Sequence, residues 1–313
     1  MQWFKFERQF EFVGHRRRAF ILSAALLLAT VVSLAVQGLK FGIDFTGGYL
    51  IEVGFPEEVE LQPIRNALDE AGFEDTQVQH FGAPDDVLVR IAPQGETSSA
   101  ELSDEVLQVL DRTFDDMSAD LRRVEFVGPQ VGEELRDDGG LAMLIALLLI
   151  LAYVAFRFEK RFAVGAVAAL VHDVVIVVGV FSVTQIEFDL PVLGALLAVI
   201  GYSLNDTIVV FDRIRENFRR QRRGTAAEIT NAAINQTISR TLMTSITTLL
   251  VLVALLFLGG ETIYGFAFAL TIGVIVGTYS SIFVASTLLL ATGLSREDMM
   301  PVEKEGAEAD ARP

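Results

Sequence analysis

Six apolar stretches constrain this 313-residue chain more than any other feature: residues 20–39, 141–156, 162–183, 190–211, 242–258 and 266–290. Each approaches the roughly 20 residues that a helix needs to cross hydrocarbon. The second and fifth are short, which leaves their ends open. Hydrophobic residues make up 51% of the chain and charged residues 21%, and the apolar ones are clumped as in a membrane protein rather than spread over one soluble core. The expected class is an α-helical polytopic membrane protein with six transmembrane helices.

Basic residues set the orientation. Five precede residue 19, three lie between 157 and 161, and six between 213 and 223. These segments alternate with basic-poor ones, so the positive-inside rule places both termini in the cytoplasm. Residues 1–19 then read as a cytoplasmic segment and residues 40–140 as a soluble domain on the outer side. That domain holds 24 acidic and 7 basic residues, against a formal charge of −16 for the whole chain. The acidity therefore belongs to the exported part and argues against a nucleic-acid partner there. A saline habitat and an ordinary solvated surface both account for it. The absence of cysteine excludes disulfides and thiolate metal sites. A domain of about 100 residues folds on its own core without such staples.

Arg17-Arg18-Ala19-Phe20-Ile21 imitates the core of a twin-arginine export signal, and Ser33-Leu34-Ala35 imitates a cleavage site. Five further spans follow, which a retained first helix suits better, so an uncleaved anchor is expected. At the other end, residues 291–313 read as a disordered acidic cytoplasmic tail.

In the soluble domain, alternation over 49–55 marks a strand after a Gly47-Gly48 turn or bulge. Leu61, Ile64, Leu68 and Ala71 have helical spacing. Residues 76–81 and 87–92 read as strands joined by a turn over 82–86. Leu102, Val106, Val109, Leu110 and Phe114 mark a second amphipathic helix, entered through Ser98 or Ser99, and 121–127 a last strand. The order β-α-β-β-α-β predicts an inserted α+β ferredoxin-like domain, a four-stranded antiparallel sheet with both helices on one face. Residues 128–135, with Gly128, Pro129 and Gly132, read either as a hinge or as a plain connecting loop.

Several polar residues fall where hydrocarbon is expected. His172-Asp173 sits near the middle of the third span, and Asn205-Asp206 lies in the fourth. Burying a charge there costs about 2.5–3.5 kcal/mol on insertion scales. Tyr202 and Ser203 precede Asp206 by four and three residues, so both can flank it on one helical face. Arg240 leads the fifth span, and Thr244, Thr247 and Thr248 follow it at helical spacing. Asp206 is roughly 9 Å above Asp212 at 1.5 Å per residue, within reach of an Arg240 on a neighbouring helix.

Each has a plainer reading. Arg240 suits a snorkelling anchor, the threonines suit interhelical packing, and Gly273-xxx-Gly277 suits close helix contact. His172-Asp173 suits either a packing pair or a working one. Asp206 has few structural uses at that depth, because intramembrane acids mark ion or proton routes. Apolar surroundings favour a neutral carboxyl and a nearby guanidinium favours the charged one. An acid that meets Arg240 in one state and loses it in another would alternately release and take up a proton.

Four motifs together resemble the SecF proteins of the SecD/SecF family. They are Phe41-Gly42-Ile43-Asp44-Phe45-Thr46-Gly47-Gly48, Gly128-Pro129-Gln130-Val131-Gly132, the run from Ile200-Gly201-Tyr202-Ser203-Leu204-Asn205-Asp206-Thr207 to Arg213-Ile214-Arg215-Glu216-Asn217, and Ser239-Arg240-Thr241-Leu242-Met243-Thr244-Ser245. The resemblance covers nearly the whole chain apart from the acidic tail. It implies six transmembrane helices, half of a bundle like that of the resistance-nodulation-division (RND) exporters, and a periplasmic domain after the first helix. It implies pairing with SecD in the bacterial inner membrane, work with the SecYEG channel, association with YajC, and export of unfolded polypeptides after the ATPase SecA. In the family the acid of the Asn-Asp-Thr motif and the arginine of the Arg-Thr motif couple protons, and these map to Asp206 and Arg240. Tyr202, Asn205, His172, Asp173 and Thr244 are then supporting polar residues.

No GxxxxGK[ST] loop occurs, so energy must come from a gradient, of protons or of sodium, or from a partner. No cofactor or metal is expected, and no paired acids or Ser/His constellation in the soluble domain suggests hydrolysis, so a transport subunit rather than an enzyme is expected. Two other classes stay open: a component of a proton-coupled small-molecule exporter, which normally needs about twelve helices in one chain, and an unenergised translocon scaffold.

Overall fold

The computed structural model describes residues 9–73, 76–93, 99–114, 118–221 and 223–294. The first eight residues, the helix entry at Ser98 and the acidic tail from residue 295 lie outside the described residues.

A short 3₁₀ turn, Val13–His15, leads into α1, Arg16–Val36. The soluble domain follows as α2 (Ile43–Thr46), β1 (Gly48–Gly54), α3 (Leu61–Glu70), β2 (Gln77–Phe81), β3 (Ala83–Ile91), α4 (Ser99–Thr113) and β4 (Asp120–Val127). The chain then runs through α5 (Pro129–Arg157), α6 (Lys160–Thr184), α7 (Leu190–Arg220), α8 (Ala226–Leu258) and α9 (Glu261–Ser280). A π turn, Ser281–Ala285, connects α9 to α10, Ser286–Ala291. Among the described residues six helical segments are long and apolar enough to span a membrane.

The strands form one antiparallel sheet in the order β2-β3-β1-β4. Period-two alternation puts Ile51, Val53, Val87, Val89 and Ile91 on one face, where Ile64, Leu68, Leu102, Val106 and Leu110 of α3 and α4 cover them. The opposite face carries Leu50 and Leu88, which pack with Ile43, Phe81 and Val127 toward the membrane helices. The β2–β3 turn is tighter than its sequence indicates: Gly82, at φ +77°, makes it and β3 starts at Ala83.

Two membrane helices start well before their apolar runs. The 128–135 segment, read as a hinge or loop, is helical from Pro129, which takes a first-turn position where its missing N–H has no partner to lose. Helix α8 starts at Ala226 behind a capping box in which Thr225 accepts from Glu228 N–H and the Glu228 carboxylate accepts from Thr225 N–H. Polar first turns carry no hydropathy signal, so these starts are set by caps instead.

Helices α6 and α7 form the centre of the bundle, with 61% and 56% of their most apolar windows buried, against 11% for α5 and 17% for α8. The outer helices expose Leu149, Phe156, Leu250, Phe257 and Leu258, which lipid accommodates and water does not. Helix α9 lies against α7 through its glycines: a Cβ on Gly273 would fall 2.1 Å from Val199 Cγ2, and one on Gly277 3.0 Å from Ser203 Cβ. The Gly-xxx-Gly spacing is a close-packing face.

Candidate intramembrane polar site

Asp206 lies inside the bundle on α7, 3% exposed, and its Oδ2 has no hydrogen-bond partner among the described residues. Two neighbouring hydroxyls, Thr207 Oγ1 and Thr241 Oγ1, are likewise buried without partners. Arg240 is the charge that acts on Asp206 electrostatically, but no ion pair joins them among the described residues. Arg240 and Asn205 are exposed on the surface of this chain, at the level of an apolar helix bundle.

The flanking residues have other duties than their spacing indicates. Ser203 donates to Asp173 Oδ2 at 2.5 Å, not to Asp206. The Tyr202 hydroxyl donates to Ser245 Oγ at 3.3 Å, and Ser245 is bonded to Thr278 Oγ1 at 2.6 Å, a link from α7 through α8 to α9. Thr244, Thr247 and Thr248 all donate back to carbonyls of their own helix, so they form no hydroxyl path.

A second cluster surrounds His172 and Asp173, which are 5% and 1% exposed. Their side chains are bonded at 2.9 Å, Ser280 donates to Asp173 Oδ2 at 2.6 Å, and His172 Nε2 lies 3.1 Å from Ser23 Oγ on α1. Sequence reasoning missed Ser23, Tyr279 and Ser280. The signal available was three polar residues in apolar runs, but nothing in helical spacing says which residue on another helix each one meets. Ser280 immediately precedes the π turn, a distortion frequent at working sites.

At the end of α7 that faces the soluble domain, residues 40–44 clamp onto residues 187–190. Gly42 N–H donates to Phe188 O at 2.9 Å and Phe188 N–H to Lys40 O at 2.8 Å. Lys40 pairs with Glu187 at 3.1 Å, and Asp44 Oδ2 accepts from Leu190 N–H at 2.9 Å. A Cβ on Gly42 would stand 3.2 Å from Asp189 Cβ, tighter than an ordinary contact, so glycine eases the close approach of the two segments. A second joint lies beside it: a Cβ on Gly132 of α5 would lie 2.8 Å from Gly47 N. A cavity of about 600 Å³ separates the sheet from the membrane helices between these contacts. The soluble domain is thus held at its rim.

Asp189 caps α7, accepting from Val192 N–H at 2.8 Å. Burial pushes its carboxyl up to about 6 against that bond, with Asp44 and Glu187 adding to the rise. The folded state therefore binds more protons than the unfolded chain between about pH 4 and 6, and this group's contribution to stability is present below that window and lost as pH rises through it. Asp189→Asn, an equally good cap, is expected to flatten the fall in melting temperature between pH 4 and 6 and to be at least as stable as the parent at pH 7. Thermal unfolding across that range reads both.

A family model described as protein export membrane protein SecD/SecF, C-terminal, matches residues 106–295, and one for the SecD/SecF GG motif matches residues 32–55. The chain belongs to the SecD/SecF family. Asp206, Arg240, His172 and Asp173 lie in its C-terminal SecD/SecF region, and clamp residues 40–44 and Gly47-Gly48 lie in its GG motif. Protein translocase subunit SecF of Vibrio alginolyticus is 52% identical over 315 residues, covering 100% of this chain and 99% of that protein. The SecF subunit of Magnetococcus marinus is 53% identical over 292 residues, covering 93% of this chain and 94% of its own. Among solved structures, SecDF of Thermus thermophilus, a translocon-associated membrane protein, overlays with a TM-score of 0.82 at 41% identity. SecDF in a super-membrane-facing form gives 0.69 at 40%. This chain spans 39% of each of those chains and is covered over 92% and 93% of its own length. Within the SecD/SecF family it stands with the SecF proteins, as a bacterial membrane protein.

Proposed function

We propose that this chain is the SecF subunit of the Sec protein translocase and, paired with SecD in the inner membrane, uses the proton gradient to promote late steps of polypeptide export. Asp206 carries the reading. A buried carboxyl oxygen without a partner costs about 1–3 kcal/mol, and more when charged. A proton or an approaching cation removes that cost, and Arg240 on the adjacent helix is the cation. The missing ion pair fits one half of a cycle in which Arg240 approaches and withdraws. Asp173, by contrast, is bonded through Oδ1 to His172 and through Oδ2 to Ser203 and Ser280.

In this reading both termini are cytoplasmic, residues 40–140 are periplasmic and ferredoxin-like, and the six helices are half of an RND-like bundle completed by SecD. Basic residues at the ends of α5 and α7 support the orientation: Arg157 and Arg215 both lie over Phe158, and Arg157 reaches Asp212 at 3.4 Å, remote from the soluble domain. Exposed Asn205 and Arg240 support a partner helix covering α7 and α8. SecYEG, YajC and unfolded polypeptides are the further partners in this scheme, reached through the periplasmic domain and the membrane surface. The clamp would pass motion at the domain end of α7 to that domain.

The test is export into proteoliposomes containing SecYEG, SecA, SecD and this chain, with proton and sodium gradients imposed separately. Stimulation by the proton gradient alone is expected. Stimulation by sodium alone would reassign the ion, and stimulation by neither would leave an unenergised scaffold. Arg240→Met is expected to lose most of the gradient-stimulated rate at unchanged protein abundance. Reduced abundance with normal export per molecule would make Arg240 an anchor.

A further inference from the structure

The hydrogen bonds around His172 and Asp173 allow their protons to be counted. The Tyr279 hydroxyl donates to the Ala19 carbonyl at 2.7 Å, an acceptor with no proton to give. Its one proton is committed there, so the 3.0 Å contact between Tyr279 and Ser23 needs Ser23 as the donor. Ser23 then has none left for His172, and the 3.1 Å contact to Nε2 needs a proton on that nitrogen. On the other side of the ring, Nδ1 and Asp173 Oδ1 share another proton at 2.9 Å. Asp173 Oδ2 takes hydroxyl protons from Ser203 and from Ser280, which lies 2.6 Å away and farther, at 3.2 Å, from its other acceptor, Gly277 O. Two arrangements complete these links to the pair: an imidazolium beside a carboxylate, or an Nε2–H imidazole beside a carboxylic acid. Both contain one proton more than a neutral imidazole with a carboxylate, and both have no net charge.

We propose that His172 and Asp173 form a second proton-holding site, loaded with one proton in this state of the fold, whose release breaks the link between Ser23 of α1 and His172 of α6. Net neutrality is the arrangement a site this deeply buried favours, since an unbalanced charge in apolar surroundings is expensive. The groups facing the pair are Ser23 from α1, Ser203 from α7, and Tyr279 and Ser280 from α9; Tyr279 is the one titratable group among them. A cavity of about 190 Å³ between α1 and the π turn, lined mostly by apolar side chains such as Phe20 and Phe283, reaches Ser23 and His172. Ser203 stands three residues before Asp206, so α7 carries both Asp206 and a hydrogen bond to Asp173. The proton count holds whether or not Asp206 carries protons.

The full chain, reconstituted with SecD in bilayers, tests this with no gradient and no export. The chain has three histidines, so His15→Gln with His80→Gln leaves His172 as its sole imidazole. Nitrogen-15 NMR reads its ring and infrared spectroscopy reads protonated carboxyls. At pH 7 either two protonated ring nitrogens are expected, or an Nε2–H ring with a carboxylic band that Asp173→Asn removes. A ring protonated only at Nδ1 beside an ionised Asp173 overturns the proposal. Tyr279→Phe frees the Ser23 proton for Nε2, so the Nε2–H resonance should lose intensity in that variant. An unchanged Nε2–H resonance there overturns the link to α1. Asp206→Asn should leave the signature in place even where it stops export, which keeps this site and the proposed role of Asp206 separately testable.

Discussion

Asp206→Asn is expected to abolish gradient-stimulated export while leaving membrane insertion and pairing with SecD intact. Asparagine keeps the shape and one acceptor oxygen of the buried side chain but holds no exchangeable charge. Asp206 makes no hydrogen bond through Oδ2 and no ion pair among the described residues, so little in the packing depends on its charge. The loss should therefore be functional rather than structural. Each charge moved across the membrane is worth about 2.3 kcal/mol per 100 mV, a bias of roughly fiftyfold, and the variant forfeits it. Export driven by ATP alone should continue at the rate seen without a gradient. Comparing the two rates in one vesicle preparation checks this. A variant still stimulated by the gradient would sink the motor reading and leave a scaffold.

Gly48→Ala is expected to destabilise the soluble domain by about 2 kcal/mol or more, through two independent faults. At φ +126° a side chain is strained, at about 1–3 kcal/mol. Its Cβ would also fall 2.7 Å from Ile91 O, a backbone atom in the β1–β3 ladder that cannot yield without breaking strand pairing. The midpoint for unfolding of the domain should drop by roughly 10 °C, and protease should cut it at lower temperature. Gly140→Ala, where a Cβ meets nothing within 4 Å, is the control and should be neutral or stabilising. Equal losses in both variants would refute the steric account of the glycine pair.

The strand and helix pattern of the soluble domain was legible because periodicity reports which face is buried. Val87, Val89 and Ile91 alternate with half-buried or reverse-face residues, and α3 and α4 repeat their apolar residues every three or four. Helix starts were less legible: α5 and α8 begin in polar turns, where only Pro129 and the Thr225–Glu228 box mark them. The polar site was half legible. Charge in an apolar run singled out Asp206, His172 and Asp173, but helical spacing misassigned Ser203, because a residue three positions away on the same helix competes with acceptors on every helix packed against it.

By itself the sequence determined the membrane class, the six spans, the alternation of strands and helices, and the acids that hydrocarbon makes expensive. These are local properties, set by how each stretch of chain exchanges with water or lipid. The tertiary structure alone decided that Ser203 and Ser280 serve Asp173, that Asp206 keeps an unpaired oxygen, and that Ser23 and Tyr279 close a chain onto His172. Hydrogen-bond partners far apart in sequence meet only through the crossing of helices. That crossing depends on shape, above all on where Gly273 and Gly277 let α9 approach α7.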